Sequence, residues 1–591
     1  MWVFVRDDEH LLEEMRELKP VSYALDIETT GLDPFTDEIL LIQVGREDGR
    51  VVILDARKLS DYLITEYLEH LFNAMADTVI LHNAKFDIKM LMYHYGAVPR
   101  KGVLYDTELA EILMYNGLIS PYVSLKQLLK KYLAVDVDKE IREEFIGYDK
   151  EDFSNELLEY AAGDVLHLFE ICSAQQYFLN KNDLQRVARL EFDLITPVSD
   201  MELKGVYLDT NKWLDLYRET LEEQHRLEEE LVEMAREVVV DWKHPKTGKV
   251  YHYDFSEKPI NLNSPFQLMG AFKYFGHDLK SSNAATVSTV RHLPFAEKLL
   301  EHKKLAKRTS TYGDTFLEHV HPVTGRVHSS FNQLGAASGR FSSDRPNLQN
   351  IPARDTKAYR NCFVNPPGRM LITADYSQIE LRLAGEFSQD EKFINAYKNG
   401  EDLHQLTADI IERERQDGKT LNFTILYGAS GFRVSREFGV SKEEGDEIIK
   451  RWKSGFDKLN VFITKVENFV EEHGYSLTAT GRRRYFDMPD TRDKRGWVKM
   501  NEIKREAVNH PIQGTSADMI KIAITNLFYR LRDHDAYVVL TVHDEIMIEC
   551  AEEYVEIIKK IVEDEMIKAA EVFLKIIPAK VDVKSGKVWG H

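Results

Sequence analysis

Cysteine is scarce in this chain: Cys172, Cys362 and Cys550 are the three thiols among 591 residues. They are too few for a disulfide framework and lack zinc-site spacing, which fits a reducing compartment. Long apolar runs are missing as well. No stretch approaches the ~20 residues of a membrane span, and Met1-Trp2-Val3-Phe4-Val5-Arg6-Asp7-Asp8 has no basic flank followed by an apolar block. A soluble cytoplasmic protein without a membrane partner is expected. Internal repeats and low-complexity tracts are absent too. Basic charge is in deficit, with 77 Lys and Arg against 98 Asp and Glu, a net of −21. An overall electrostatic grip on phosphates is thereby excluded, so any nucleic-acid contact has to come from local patches. Two such patches are Lys303-Lys304-Leu305-Ala306-Lys307-Arg308 and Arg482-Arg483-Arg484. With 43% hydrophobic and 30% charged residues the composition is globular, and the length implies roughly three to five domains or subdomains.

The first region, to about residue 178, alternates strand-like and helical runs: Tyr23 to Ile27, Ile39 to Val44, Val51 to Leu54, then Thr78 to Leu81 leading into a helix over Phe86 to Tyr95. That is an α/β pattern. A long polar helical stretch follows, in which Leu214, Tyr217, Leu221, Leu227, Leu231 and Met234 form an apolar stripe, as in a protruding arm. Within it, Asn263-Ser264-Pro265 has the cap-then-proline order that opens a helix. The segments His244 to Lys249 and His321 to Arg326 read as turns between short strands. From about residue 386 to 510 the pattern is mainly helical. Strands return around Tyr537 to Ile548, with His543 and Asp544 at a turn.

Asp375 ends the apolar run Leu371-Ile372-Thr373-Ala374, and Asp544 follows Val538-Val539-Leu540-Thr541-Val542. An acid where an apolar strand surfaces is costly unless a cation meets it. Acids are about one residue in six here, so either one alone says little. If the two strands are neighbours, they form a cleft for two divalent ions roughly 3.5–4 Å apart, an arrangement that activates an attacking oxygen and stabilises a leaving one. Between them, Arg415, Lys419, Phe423 and Tyr427 recur every four residues, so two cations and two aromatics share one helix face. Such a face suits a triphosphate at its basic end and a base or sugar at its aromatic end. In the N-terminal region, Asp26 and Glu28 fall on one side of a strand. Asp87 follows another strand, and Tyr160 and Asp164 are one helical turn apart.

Taken together, Asp375-Tyr376-Ser377-Gln378-Ile379-Glu380-Leu381-Arg382, the Arg415 to Gly428 segment and Val542-His543-Asp544-Glu545 resemble the three polymerase motifs of family A DNA polymerases, in the right order. Ser338-Gly339-Arg340-Phe341-Ser342-Ser343, Pro346 to Pro352, Gly481 to Tyr485, Gln513-Gly514-Thr515 and the Trp589 to His591 ending are similar to further segments of that family. The N-terminal acids with Tyr160 resemble a 3′–5′ proofreading exonuclease of the ribonuclease H-like superfamily. The resemblance covers nearly the whole chain. It implies a multidomain fold, α/β then α+β: an exonuclease domain over residues 1–178, then a right-hand polymerase over 179–591. The thumb would span about 205–320, the palm about 321–385 and 505–591, and the fingers about 386–504.

By that resemblance Asp375, Asp544 and the Tyr376 carbonyl hold two Mg²⁺ ions, with Mn²⁺ as a substitute. Gln378, His404, Arg415 and Lys419 bind the incoming nucleotide, and Lys419 supplies a proton to the leaving group. Phe423 stacks near the sugar, Glu380 blocks a 2′-hydroxyl, and Tyr427 sits by the templating position. Arg340, Arg505, Asn509, Gln513 and His543 contact the primer-template minor groove, where acceptors are nearly sequence-independent, and Lys304 and Lys307 grip duplex phosphates. Glu545 is supportive. Asp26, Glu28, Asp87 and Asp164 bind two further metals, with Tyr160 orienting the attacking water on a single-stranded 3′ end.

The implied partners are primer-template DNA and deoxynucleoside triphosphates, for a monomer in the cytoplasm, at the nucleoid in a bacterium or in the host cell of a virus. Two departures from the family pattern, Ser338 and Phe341 in place of Thr and Leu, and Thr424 in place of a small residue, remove no catalytic group. With Met1 a few residues before the first strand, no 5′-nuclease domain and no nick translation are expected. A single-subunit RNA polymerase shares the hand, but Glu380 and Phe423 oppose it. Intact Asp375, Asp544 and Lys419 oppose a DNA-binding factor with inactive remnants.

Overall fold

The structure, a computed structural model, describes residues 2–136, 140–244, 246–353, 357–426, 428 and 431–590. A six-stranded sheet organises the N-terminal part, in the order Trp2–Val5, Val51–Asp55, Ile39–Arg46, Tyr23–Thr29, Val79–Leu81, Leu104–Asp106. Pairing of Tyr23–Thr29 with Ile39–Arg46 and of Ile39–Arg46 with Val51–Asp55 is antiparallel, and the outer pairs are parallel. Ile39 to Gly45 is buried without alternation, as a strand covered on both faces must be. The four strands expected from the apolar runs are present. The two edge strands Trp2–Val5 and Leu104–Asp106, too short to show a period, are additional.

Helix Gln185–Lys204 joins two cores. Phe192 and Ile195 pack with the N-terminal sheet, whereas Leu194, Val198 and Met201 pack with the larger C-terminal core. Helix Thr210–Ala235 then runs out as an arm against helix Pro294–Thr311. Its buried seam is Trp213, Thr220, Leu227, Leu231 and Ala235, rotated from the expected stripe, so Leu214, Tyr217 and Leu221 are only half-buried. The partner helix, absent from any one-helix reading, decides which residues go inside. Ser264 caps helix Pro265–Tyr274 through the Gln267 N–H, as its sequence predicts.

The C-terminal core is built on a four-stranded antiparallel sheet, in the order Ala536–Val542, Glu545–Ala551, Arg369–Tyr376, Val581–Gly586. Against it lies the 38-residue helix Lys494–Leu531, whose second half is buried almost throughout.

One predicted patch is not a surface feature. Arg482, Glu191, Asp518 and Lys521 are all 0% exposed and ion-paired with one another. Arg482 bonds Glu191 and Asp518 at 2.5 Å each, and Lys521 reaches Glu191 at 2.5 Å and the Gln333 carbonyl at 2.8 Å. Arg483 donates to Asn182, and Arg484 pairs with Glu506. The three arginines therefore hold the protein together instead of presenting a phosphate-binding face, because acids remote in sequence reach them.

Removing one acid from this cluster leaves a buried cation without compensation. We expect Glu191→Ala to cost about 3–5 kcal/mol, read as a lowered urea midpoint. An unchanged midpoint refutes the role of the cluster.

Candidate active sites

Asp375 lies at the end of strand Arg369–Tyr376, directly opposite Glu545 on one neighbouring strand and Asp582 on the other. Asp544 sits in the turn before Glu545, after His543 at φ 58°, and its carbonyl accepts the Tyr376 N–H at 3.4 Å. The two acids do meet. The immediate neighbour of the Asp375 strand is, however, the strand that follows Asp544, and Ala536–Val542 lies one place further out. Tyr376 buries its ring, and its hydroxyl donates to the Met566 carbonyl at 2.7 Å, which fixes the strand end.

Four carboxylates thus share one sheet edge. Loss of hydration and then the charges of Asp544, Glu545 and Asp582 push Asp375 up to about 7. Asp544 is pushed up to about 6, by burial first, with Glu380 and Glu545 adding and its own backbone N–H opposing. Clustered hard oxygen donors of this kind suit divalent ions such as Mg²⁺ or Mn²⁺. Asp582 was not anticipated: the alternation Val581-Asp582-Val583-Lys584 marks a strand face, but its register against Asp375 is not a local property.

Around these acids, Arg340 pairs with Glu380 and also acts on Asp544. Gln378, at φ 53°, accepts the Tyr397 hydroxyl at 3.0 Å. Helix Arg415–Leu426 carries the expected stripe as far as Phe423, and Tyr427 falls outside the described residues. Arg415 bonds Asp402 at 2.5 Å, Lys419 is exposed, and the Phe423 ring lies 6.0 Å from that of His404. Burial lowers the His404 pKa.

Asn422 was missed. It is fully buried, accepts from Thr407 at 2.9 Å and Trp452 at 3.2 Å, and lies 3.2 Å from His404 Nδ1. Its signal is a polar residue on the apolar side of a helix, between Leu421 and Ile425. Gly418 is required by packing, because a Cβ there would lie 2.2 Å from the His404 carbonyl.

Arg505, Asn509 and Gln513 form one stripe on the long helix. Gly428 packs against Arg505 and Gly514 against the Ser338 carbonyl, so the stripe runs between the Arg415–Leu426 helix and the loop of Arg340. His543 is exposed at its turn. On the arm, Lys304 and Lys307 are exposed, while Lys303 and Arg308 turn partly inward.

In the N-terminal part, carboxylate oxygens of Asp26, Glu28 and Asp164 lie within 4.8 Å of one another, a spacing that can hold a metal ion. Strand Tyr23–Thr29 brings the first two, and helix Asn155–Leu166 brings Asp164 with Tyr160 one turn earlier. Asp87 is buried beside Asp26 but outside that group of three; burial, then the Asp26 charge, raises its pKa. Behind it Asp106 caps helix Thr107–Met114, and burial followed by the Asp106 charge pushes Glu108 up to about 7.

The raised carboxyls make a pH prediction. Asp375 and Asp544 keep protons in the folded chain where the unfolded chain has lost them, so their contribution to stability is present at low pH and lost as pH rises through about 6 to 7. In a chelator, Asp375→Asn should melt about 1–3 °C above wild type at pH 8, with the gain gone near pH 4. Equal melting at pH 8 would contradict the clustered-charge account.

Residues 228–591, more than half of the chain, match the model of DNA polymerase family A, and residues 3–177 match a 3′-5′ exonuclease model. DNA polymerase I of Borreliella burgdorferi is 31% identical over 98% of this chain and 63% of its own length. The thermostable DNA polymerase I of Thermus thermophilus is 35% identical over 68% of this chain and 47% of its own. The chain therefore spans between about half and two thirds of the length of these relatives. A solved structure described as the POL domain of Pol1 from M. smegmatis in complex with DNA primer-template and dNTP has the same fold, with a TM-score of 0.83 at 24% identity, covering 100% of this chain and 99% of that one. With Asp375 and Asp544 converging at the end of an antiparallel sheet, and Asp26, Glu28 and Asp164 gathered beside a mixed one, the chain belongs to DNA polymerase family A.

Proposed function

We propose that this chain is a DNA-directed DNA polymerase with 3′–5′ proofreading, extending primer-template DNA from deoxynucleoside triphosphates in replication or repair. The observation that carries the reading is the pair of carboxylate clusters, Asp375 with Asp544, Glu545 and Asp582, and Asp26 with Glu28 and Asp164, each at a strand end in a different core. We take the exonuclease unit as residues 1–178 and the polymerase as 179–591, with thumb 205–320, palm 321–385 and 505–591, and fingers 386–504. The protein acts as a monomer in the cytoplasm.

Divalent ions, Mg²⁺ with Mn²⁺ as a substitute, supply charge neutralisation and an activated oxygen when bound at either cluster. Asp375, Asp544 and the Tyr376 carbonyl hold them in one site; Asp26, Glu28, Asp87 and Asp164 do so in the other, where Tyr160 orients the attacking water on a single-stranded 3′ end. Gln378, His404, Arg415 and Lys419 receive the triphosphate, Lys419 protonates the departing pyrophosphate, and Tyr427 stands at the templating base. Phe423 stacks on the sugar while Glu380 excludes a 2′-hydroxyl. Arg340, Arg505, Asn509, Gln513 and His543 follow the minor groove.

For this, Arg415 has to leave Asp402, an exposed pair worth no more than about 1 kcal/mol, so the substrate phosphates can take it over cheaply.

Primer extension and mismatch excision with the same preparations separate the sites. Asp544→Ala should abolish synthesis, by at least about 10³-fold, and spare excision, while Asp26→Ala does the reverse. Loss of both activities in either folded variant contradicts the two-site reading. If Lys304 and Lys307 meet duplex phosphates, replacing both by Ala should flatten the slope of log affinity against log salt by about 1 to 2. An unchanged slope removes them from the DNA interface.

A further inference from the structure

Glu545 has both carboxylate oxygens engaged by residues outside the motif that carries it. Trp589 Nε1 donates to Oε1 at 2.5 Å, and Arg360 Nη1 lies 3.4 Å from Oε2. The two donors also support each other, because the Arg360 guanidinium stacks on the Trp589 ring, 4.2 Å from its centroid. Trp589 is itself fixed: it is 2% exposed, its N–H donates to the Phe363 carbonyl at 3.0 Å, and its ring meets that of Phe363 edge-on at 5.4 Å. Arg360 is only 15% exposed in its side chain, and its Nε has no hydrogen-bond partner among the described residues. This assembly lines an open cleft of about 1130 Å³ together with Asp375 and Thr373.

We infer that Arg360 and Trp589 form a clamp that withholds the Glu545 carboxylate from the metal-binding acids, and that Arg360 is thereby a positioning residue for the reaction. The inference rests on the proposed polymerase reading of the Asp375 cluster. Asp375 is flanked in register by Glu545 and Asp582, with Asp544 adjacent. Were all four carboxylates free to turn inward, the site would bind cations more tightly than a site that must pass pyrophosphate and accept a new nucleotide each cycle. Arg360 lies within the field of both Asp375 and Glu545, and its planar fork, stacked on an indole, fixes direction as well as charge. Second-layer partners of this kind tune metal affinity through the ligands they orient.

The test is Mn²⁺ binding to the full chain without nucleotide or DNA, followed by the electron paramagnetic resonance of free Mn²⁺. A background carrying Asp26→Ala and Asp164→Ala silences the other cluster. Arg360→Ala should tighten binding by about threefold or more when Glu545 is present and change it little in a Glu545→Gln chain, the coupling expected of residues that act through one another. Arg360→Lys, which keeps the charge but not the stacked fork, should move in the same direction as Arg360→Ala.

Equal tightening in both backgrounds would reduce Arg360 to a point charge and overturn the clamp, as would no change at all. If Asp375→Asn and Asp544→Asn leave Mn²⁺ binding untouched, the cation-site reading itself fails, separately from the clamp. Should Arg360→Ala not fold, Trp589→Phe keeps the stack and removes the indole N–H. The same Glu545-dependent tightening is then expected, and its absence overturns the proposal.

Discussion

Four buried charges hold the two halves of this protein in register. Glu191 comes from the helix that joins the cores, Arg482 from a hairpin, and Asp518 and Lys521 from the long helix; none is exposed. Each would cost several kcal/mol to bury alone, and together two cations and two anions cancel. Thr478, Thr480 and Gln333 bond the remaining oxygens, so the two carboxylates are satisfied and the cluster is neutral, while Arg482 Nη1 has no hydrogen-bond partner among the described residues. Such a network is selective in geometry: its attraction offsets desolvation only when all elements arrive in place. Gly339, at φ 87°, lies so close that a Cβ would sit 2.6 Å from Arg482 Nε. The loop carrying Arg340 is therefore seated on the buried guanidinium. Asn116 adds a second tie, donating to the carbonyls of Ala337 and Arg483 at 2.9 and 2.8 Å. The position of Arg340 beside Glu380 thus depends on a junction formed by both halves of the chain.

The same chemistry is built twice on different scaffolds. In the C-terminal core an antiparallel sheet lines up Glu545, Asp375 and Asp582 across adjacent strands, with the Asp544 turn beside them. In the N-terminal core one strand supplies two acids by alternation and a helix supplies the third. Both arrangements crowd negative charge at a partly enclosed site, and lost hydration together with neighbouring charge is why Asp375, Asp544 and Asp87 titrate high. A protein with net charge −21 has no general attraction for phosphate. On the proposed reading, binding is left to local groups: the exposed lysines of the arm and the polar stripe of Arg505, Asn509 and Gln513.

Asp375 and Asp544 are legible because each stands at the end of an apolar run, a local pattern. Their partners are not. Arg482-Arg483-Arg484 reads as surface since three cations in a row are hydrophilic by any local measure, and burial becomes tolerable only because Glu191 and Asp518, 291 and 36 residues away, arrive at the same point. The arm helix was found from its period, but its seam was set by the opposing helix. Asn422 sits within a motif read for its exposed stripe, and its role emerges only when Thr407 and Trp452 close on it. Asp582 needed strand register, a long-range quantity. Local periodicity thus specifies elements and candidate ligands, whereas charge balance is settled by tertiary pairing.

Several of the proposed site residues are held by partners of complementary charge or hydrogen-bonding character: Arg340 by Glu380, Arg415 by Asp402, and Glu545 by Arg360 and Trp589. A cation left unpaired near these acids would be drawn toward Asp375 and Asp544, whose fields already reach Arg360 and Arg340. A local partner prevents this while keeping the side chain near its working place. The exposed Arg415–Asp402 pair exchanges readily because water screens it. The Glu545 pair is more enclosed than that one and stacked on Trp589, so it is the harder of the two to open. Strength of pairing thus follows burial, and burial separates the groups that must move with substrate from those that must stay.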